Sequence, residues 1–227
     1  MPDDGYLLDK VEVDVNTKSV LENEEYHLLT WLTDTGITLT SDYKIEFEFV
    51  PVKPYNTASE YATFLSNRTF KEQNQDCAQV YYNIRLGKIG AGVTGYSGTE
   101  VVPYTDGLIK TVLVSNSKEH YAESYINNVF KGKRNFQSTG YTPIDNTIHL
   151  AGAKNKSVVA PLLFYSLKIY NNGVLVFDGK PKIDKSTGTH YLINDVNNQI
   201  ISADIYDYTP VMTLELSDTQ QVTNEEY

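Results

Sequence analysis

The sequence has 227 residues, 41% of them hydrophobic, which fits one large all-β domain or two small ones. With 19 Lys and Arg against 29 Asp and Glu, the net charge is −10, which disfavours nucleic-acid binding through a broad basic surface. No apolar run approaches the roughly 18 residues of a membrane-spanning helix, so we expect no membrane span.

Alternation of apolar and polar residues predicts strands along most of the chain. It is cleanest from Lys44 to Val50, where Ile45, Phe47 and Phe49 share one face and charged residues the other. Further strands are predicted at 11–15, 79–85, 109–114, 147–150, 162–170 and 174–177. The last two are separated by Asn171-Asn172-Gly173, which predicts a hairpin because Asn and Gly tolerate positive φ. The residues predicted to face the core are Ile45, Phe47, Val112, Val114, Leu150, Leu167 and Ile169.

The segments between these strands are rich in turn-forming residues. From Ala58 to Phe70 a short helical turn is conceivable, but Thr and Tyr at its solvent positions favour a strand. The glycine-rich stretch from Gly87 to Gly107 predicts either a long flexible loop or a weak strand pair. Gly and Asn recur at spacings near ten residues, which is typical of an all-β sandwich or jelly roll.

The two ends differ from the middle of the chain. We expect an N-terminal arm or edge strand at 1–24, a jelly-roll domain at 25–203 and an acidic, Tyr-containing C-terminal extension at 204–227. Residues 1–20 and 204–227 are predicted to become ordered only against a partner, because neither segment can bury enough area alone. The acidic start of the chain has no signal-peptide pattern, so Sec-type secretion is not expected.

Several runs resemble landmarks of the laminin-G-like, concanavalin A-like jelly-roll domains found in bacteriophage and prophage proteins. The run from Phe164 to Asp178 is similar to the closing hairpin of that family, and Pro181 and the turn at 185–188 come next in family order. Residues 190–195 occupy the position of the family's "GLYD" element but lack its Gly. Earlier landmarks in the same order are found at 32–46, 125–133 and 147–153.

This resemblance implies an all-β fold, a two-sheet antiparallel jelly-roll sandwich. It also implies a non-enzymatic bacteriophage structural protein on the virion surface that acts in assembly, decoration or host attachment. The expected partners are other virion proteins, namely capsid, tail or fibre subunits, and further copies of the chain in a homo-oligomer. The alternative is a carbohydrate-binding receptor module that recognises a host-surface glycan. A glycoside hydrolase is the third hypothesis, because one fold hosts many functions.

A glycine motif, the cysteine and the histidines predict no catalytic or metal site. The run from Gly90 to Gly95 matches a dinucleotide fingerprint by letter, but residues 96–103 do not predict the helix that the motif requires. Cys77 is the only cysteine and is predicted to be a small buried or half-buried side chain. The four histidines have no second ligand at helical or hairpin spacing, so no zinc site is predicted. They are His27, His120, His149 and His190.

Carboxylates and tyrosines give the remaining candidates. Glu46 and Glu48 would stand about 7 Å apart on one strand face, near the separation of a glycosidase pair. However, both lie on the outside of an amphipathic strand, so we assign no catalytic residue. Calcium and glycan sites are weaker hypotheses, and no metal, cofactor or definite ligand site is assigned. Their candidates by loop position are Asp34, Asp42 and Asp106 for calcium, and Tyr96, Tyr104 and Tyr141 for a glycan.

Overall fold

A computed structural model of the chain describes residues 21–30, 32–52, 61–67, 77–94, 101–135, 147–152 and 160–203. Throughout these residues the regular structure is β-strand, and the strands form two antiparallel sheets. None of them forms a helix that could cross a membrane. The predicted strand at 11–15 and the predictions for 1–20 and 204–227 concern residues outside these ranges.

The larger sheet contains ten strands. Eight of them lie side by side in the order β11-β10-β9-β4-β13-β14-β15-β16. Their bounds are Tyr43–Pro51 (β4), Ile109–Asn116 (β9), Tyr121–Ile126 (β10), Val129–Asn135 (β11), Leu162–Asn171 (β13), Val174–Asp184 (β14), Thr189–Asn194 (β15) and Gln199–Ala203 (β16). Two short strands complete the sheet: β1 (Leu21–Asn23) pairs with the end of β14, and β2 (His27–Leu29) pairs with the start of β13.

The smaller sheet contains six strands in the order β3-β12-β5-β6-β7-β8. Their bounds are Thr33–Thr38 (β3), Tyr61–Ser66 (β5), Cys77–Asn83 (β6), Lys88–Thr94 (β7), Val101–Pro103 (β8) and Thr147–Leu150 (β12). The chain passes back and forth between the sheets. Strand β12 inserts between β3 and β5, and β13 pairs on one side with β4, all of which are far from them in sequence. These crossovers, with two antiparallel sheets, confirm the predicted all-β jelly-roll sandwich.

The core lies between the two sheets and is rich in phenylalanine. Phe47 and Phe49 of β4 stack with their ring centroids 4.5 Å apart. Phe49 also meets Phe64 of β5 at 4.8 Å, which joins the larger sheet to the smaller one. Ile45, Phe47, Leu150, Leu167 and Ile169 are all buried, as the sequence predicts. Because these side chains come from strands far apart along the chain, the core is a single tertiary unit.

The prediction that Val112 and Val114 face the core is wrong. In β9 the buried positions are Ile109, Thr111, Leu113 and Ser115, and the two valines are only partly buried. Val112 lies directly opposite Glu46 of β4, whose outer face is charged. The strand places two polar residues, Thr111 and Ser115, on its inward face. The apolar character of Val112 and Val114 alone therefore predicted the wrong inward face for β9.

The predicted turns and strand pairs are largely as expected. The hairpin between β13 and β14 turns at Asn172 (φ 50°) and Gly173 (φ 78°), and the β10–β11 hairpin turns at Asn127 and Asn128, also with positive φ. The glycine-rich stretch contributes β7 and β8, which pair with each other. The strand-pair alternative is therefore correct for its described parts, and the region 61–66 is a strand rather than a helical turn.

Candidate functional site

The outer face of the smaller sheet carries the candidate site. In β5, β6 and β7 the residues Ala62, Tyr82 and Ile89 are buried in the core, so their neighbours along each strand point to the opposite face. Register places these outward residues in two adjacent rows across the sheet. The first row is Thr63, Tyr81 and Gly90, and the second is Tyr61, Asn83 and Lys88.

Tyr81 lies down on the sheet across its neighbour Gly90. A Cβ atom built on Gly90 would be 2.6 Å from Cζ and 2.7 Å from Oη of Tyr81, closer than any side chain allows. The absence of a side chain at Gly90 is therefore what lets the ring rest against the backbone. The end of the Tyr81 ring therefore extends over Gly90 on the outer face of the sheet.

Tyr61 extends this aromatic surface. Its ring meets that of Tyr81 edge to face, with centroids 5.8 Å apart and planes inclined by 69°. Tyr61 is 44% exposed, which is high for an aromatic residue inside a strand. Aromatic pairs in this arrangement stabilise each other, so the two rings form a defined surface. We call Tyr61, Tyr81 and Gly90 the tyrosine platform.

Polar groups border the tyrosine platform on the same face. Thr63 and Gln79 are partly exposed and are the next outward residues after Tyr61 and before Tyr81 along their own strands. Lys88 is exposed and lies two residues before Gly90 in β7, about 7 Å along the strand. An apolar ring face, hydrogen-bonding side chains and one ammonium group therefore occupy a single patch.

The next row across this face is largely buried. It contains Asp34, His149, Ser66, Gln79 and Gly92, which are paired in register from β3 to β7. Ser66 is 0% exposed and His149 is 4% exposed, although both point away from the core. Within β5, β6 and β7 the exposed side chains of this face, Tyr61 and Lys88, therefore lie at the end that carries the tyrosine platform.

His149 and Asp34 lie close together at the border of this row. Nδ1 of His149 lies 2.9 Å from the carbonyl of Thr147, and Nε2 lies 3.6 Å from Oδ2 of Asp34. Both ring nitrogens are thus directed at other groups, so the imidazole has no nitrogen directed at Ser66 on the adjacent strand. The row does not have the geometry of a Ser-His-Asp triad.

Glu46 and Glu48 lie together on the outer face of the larger sheet, as predicted. Each carboxylate is held by a lysine: Lys44 Nζ is 2.5 Å from Glu46, and Lys110 Nζ is 2.7 Å from Glu48. The hydrogen bond to Glu48, helped by its charge, raises the pKa of Lys110. Both carboxylates therefore have similar, lysine-paired surroundings, and neither has the apolar environment that a catalytic acid requires.

The three calcium candidates do not converge. Asp42 accepts hydrogen bonds from the backbone N–H and the hydroxyl of Ser117, both at 2.6 Å. These bonds, the hydroxyl's first, lower the pKa of Asp42 and tie the start of β4 to the end of β9. Asp34 accepts from the N–H of Gly36, and Asp106 lies in an exposed turn. In the described part of the chain, no three metal-ligating side chains come together.

The remaining candidates from the sequence are the loop tyrosines, Cys77 and the glycine motif. Those that the structure describes take part in packing or in a strand. Tyr104 donates to the carbonyl of Pro51 at 3.2 Å and packs edge to face on Tyr82, so it is a packing residue rather than an open loop tyrosine. Tyr96 and Tyr141 lie outside the described residues. Cys77 is buried, as predicted. The run from Gly90 begins inside strand β7, so it does not open a helix.

The histidines are not all scattered, which the sequence did not indicate. His27 of β2 stacks on His190 of β15, with ring centroids 5.3 Å apart and planes inclined by 16°. His120 lies in the exposed turn after β9. Stacked imidazole planes do not direct two nitrogens at one metal ion, so this pair is a packing contact.

Sequence reasoning missed Tyr61, Tyr81 and Gly90 as site residues. Loop tyrosines were favoured because binding residues are common in loops, whereas this platform is on strands. A usable signal was present: Gly90 and Gly92 lie two apart in a strand and leave one face of it without side chains. The partners of these glycines across the sheet, Tyr81 and Gln79, depend on the register of β6 with β7, which the sequence did not reveal.

No protein-family model matches the sequence, and no curated protein matches it. Three solved structures with which it shares a similar fold are the CBM40 of Ruminococcus gnavus IT-sialidase, a SAP-like pentraxin from Limulus polyphemus and Bacillus licheniformis β-glucanase. Identities are 13%, 12% and 12%, and TM-scores are 0.45, 0.44 and 0.39, respectively. The alignments cover 66%, 72% and 60% of this chain and 91%, 88% and 69% of those chains. At these identities and TM-scores the likeness concerns the fold alone.

Proposed function

We propose that this chain is a carbohydrate-binding module that holds a glycan on the tyrosine platform. The observation that carries the proposal is the ring of Tyr81, whose Cζ, Oη and Cε1 atoms occupy the space beside Gly90 where a Cβ atom would lie. Such a ring is a flat apolar surface on a rigid strand, and its position depends on a glycine that makes room for it.

Sugar rings suit this surface chemically. One face of a pyranose is lined by C–H groups, and its edges carry hydroxyls that need hydrogen-bonding partners. An aromatic face packs against the C–H groups, while nearby polar side chains satisfy the hydroxyls. At this site the aromatic face is that of Tyr81, flanked by Tyr61, and the polar groups are those of Thr63 and Gln79.

The positive charge of Lys88 indicates which class of glycan the tyrosine platform would bind. Lys88 is exposed on the same face as Gly90, at a distance that the long lysine side chain spans easily. An ammonium beside a stacked sugar ring favours a ring that carries a carboxylate. We therefore expect an acidic glycan to bind more tightly than its neutral counterpart.

Isothermal titration calorimetry with lactose and α2,3-sialyllactose tests this proposal. Sialyllactose is the ligand bound in one structure of the similar Ruminococcus gnavus module, and it differs from lactose by an acidic sugar. The intact chain should bind sialyllactose more tightly than lactose. Tyr81→Ala should weaken binding of sialyllactose at least tenfold, or about 1.4 kcal/mol. Lys88→Ala should abolish the preference for the acidic sugar.

Tyr26→Ala is the matched control for the platform variants. Tyr26 is 45% exposed and also packs against a second tyrosine, Tyr165, at 5.6 Å, but it lies beside the larger sheet. The Tyr26→Ala variant should bind glycans as the unchanged chain does. Equal binding by the Tyr81→Ala variant would refute the proposed site. Failure of the unchanged chain to bind any member of a panel of acidic and neutral glycans would refute the function.

A position on a bacteriophage particle remains a prediction that rests on the sequence resemblance. A glycan-binding module and a host-attachment protein are compatible, because attachment to a cell surface is commonly a matter of glycan recognition. The absence of enzymatic activity is likewise a prediction, which the lysine-paired environments of Glu46 and Glu48 support.

A further inference from the structure

Strand β11 forms one edge of the larger sheet, and its surface is unusual for this chain. Among the described strands it pairs only with β10. Its first two residues, Val129 and Phe130, are 55% and 50% exposed, and three of its seven residues are basic. These basic residues are Lys131, Lys133 and Arg134.

Such an edge is protected against indiscriminate pairing. Lys131 is an extra residue in the register between β10 and β11, since Ser124 lies opposite Gly132 and Tyr125 opposite Phe130. Bulges and lysines on an edge strand discourage general edge-to-edge association. A strand that carries acidic residues would instead find a complementary partner there.

The C-terminal segment of the chain has the matching composition. Residues 204–227 contain six acidic residues and no Lys or Arg, so they supply −6 of the net charge of −10. Within them, Val211 to Leu216 reads Val-Met-Thr-Leu-Glu-Leu, with Met212, Leu214 and Leu216 at alternate positions. This alternation predicts a strand with one apolar face.

We propose that residues 211–216 of a second copy of the chain add as a strand to the edge of β11. Addition of a strand to an open edge uses main-chain hydrogen bonds for affinity and side chains for specificity. The apolar side chains would continue the partly exposed row formed by Phe130, Tyr125 and Val112, which lie side by side in register. Glu215 and Asp218 would approach the lysines of β11. Two copies exchanging their segments form a symmetric dimer.

Geometry favours a second copy over the same chain. The segment leaves the body after β16, which lies at the opposite edge of the larger sheet from β11. A position beyond β11 is eight strand spacings from β16, or about 38 Å along the sheet. The eight residues from Ala203 to Val211 span at most about 29 Å when fully extended. The segment of one chain is therefore too short to reach its own β11 edge.

Sedimentation velocity of two complementary charge variants of the full chain tests this proposal. Variant one carries Lys131→Glu with Lys133→Glu, and variant two carries Glu215→Lys with Asp218→Lys. At low salt the unchanged chain should dimerise, whereas each variant alone should associate at least tenfold more weakly. An equimolar mixture should regain the dimer, because each edge then meets a segment of opposite charge.

Two further variants separate charge effects and misfolding from loss of the interface. Lys118→Glu with Lys185→Glu makes the same charge change at exposed turn residues and should leave the dimer intact. Leu214→Pro removes a main-chain donor from the segment without touching the body, and should abolish the dimer. A monomeric unchanged chain at every concentration, or a dimer indifferent to Leu214→Pro, would overturn the proposal. An equimolar mixture of the two charge variants that stays monomeric would also overturn the proposal. None of these outcomes depends on glycan binding.

Discussion

Replacing Gly90 with alanine tests whether the orientation of the Tyr81 ring matters, and not merely the presence of a tyrosine. The new Cβ atom would be 2.6 to 2.9 Å from three atoms of the Tyr81 side chain. Favourable contacts between heavy atoms begin near 3.5 Å, so the end of the ring has to move by roughly 1 Å. The ring is partly exposed and can swing away from the sheet, which would remove the flat surface.

The Gly90→Ala substitution should weaken glycan binding while leaving the stability of the fold nearly unchanged. Alanine is favoured over glycine in a strand by about 0.5–1 kcal/mol, which offsets part of the lost ring contact. We expect the free energy of unfolding to change by less than about 1 kcal/mol. Binding of sialyllactose should weaken at least tenfold, about 1.4 kcal/mol, because the stacking face is tilted away.

Calorimetric titration and urea unfolding of the same Gly90→Ala preparation give both quantities. Gly107→Ala is the control, since its Cβ would have only Thr105 Oγ1 within 4 Å, at 3.4 Å, and the position is in an exposed turn. It should alter neither quantity appreciably. Unaltered affinity in the Gly90→Ala variant would show that the laid-down ring of Tyr81 is not the binding surface.

Three other substitutions probe the core, the turn before β4 and the prediction that the chain is not an enzyme. Phe47→Ala should lower the free energy of unfolding by about 3–5 kcal/mol in urea titrations, because Phe47 is 0% exposed and its ring packs between two other phenylalanines. Asp42→Asn should destabilise the fold by about 1 kcal/mol at neutral pH, where the carboxylate accepts two bonds from Ser117. Because the pKa of Asp42 is lowered in the folded state, this contribution is present above the ordinary carboxyl pKa, near 4. It should disappear from the unfolding curves as the pH falls below that value. Glu46→Gln combined with Glu48→Gln should leave glycan binding unchanged and cost at most about 1 kcal/mol, since both ion pairs are solvent-accessible. Polysaccharide cleavage that this double substitution abolishes would contradict the prediction that the chain is not an enzyme.

Local sequence patterns were sufficient to predict much of the strand content. The alternation from Lys44 to Val50 corresponds to β4, residues 147–150 are β12, and the Asn-Asn-Gly turn joins β13 and β14. These features depend on a period of two and on residues that accept positive φ, both of which are properties of neighbouring residues. The order of strands in the two sheets has no such local cause, because it depends on pairings such as β4 with β13, more than a hundred residues apart.

Composition and periodicity determined that the chain is an all-β sandwich with an amphipathic β4 and an acidic C-terminal end. Tertiary structure alone decided which face of β9 is inward, because Val112 lies opposite Glu46 on a charged outer face. It also decided the candidate site, since Tyr81 and Gly90 become neighbours only through the register of β6 with β7. A one-residue slip in that register would place every outward side chain on the other face. The strands therefore follow from local sequence, whereas the tyrosine platform exists only where those strands are aligned in one particular register.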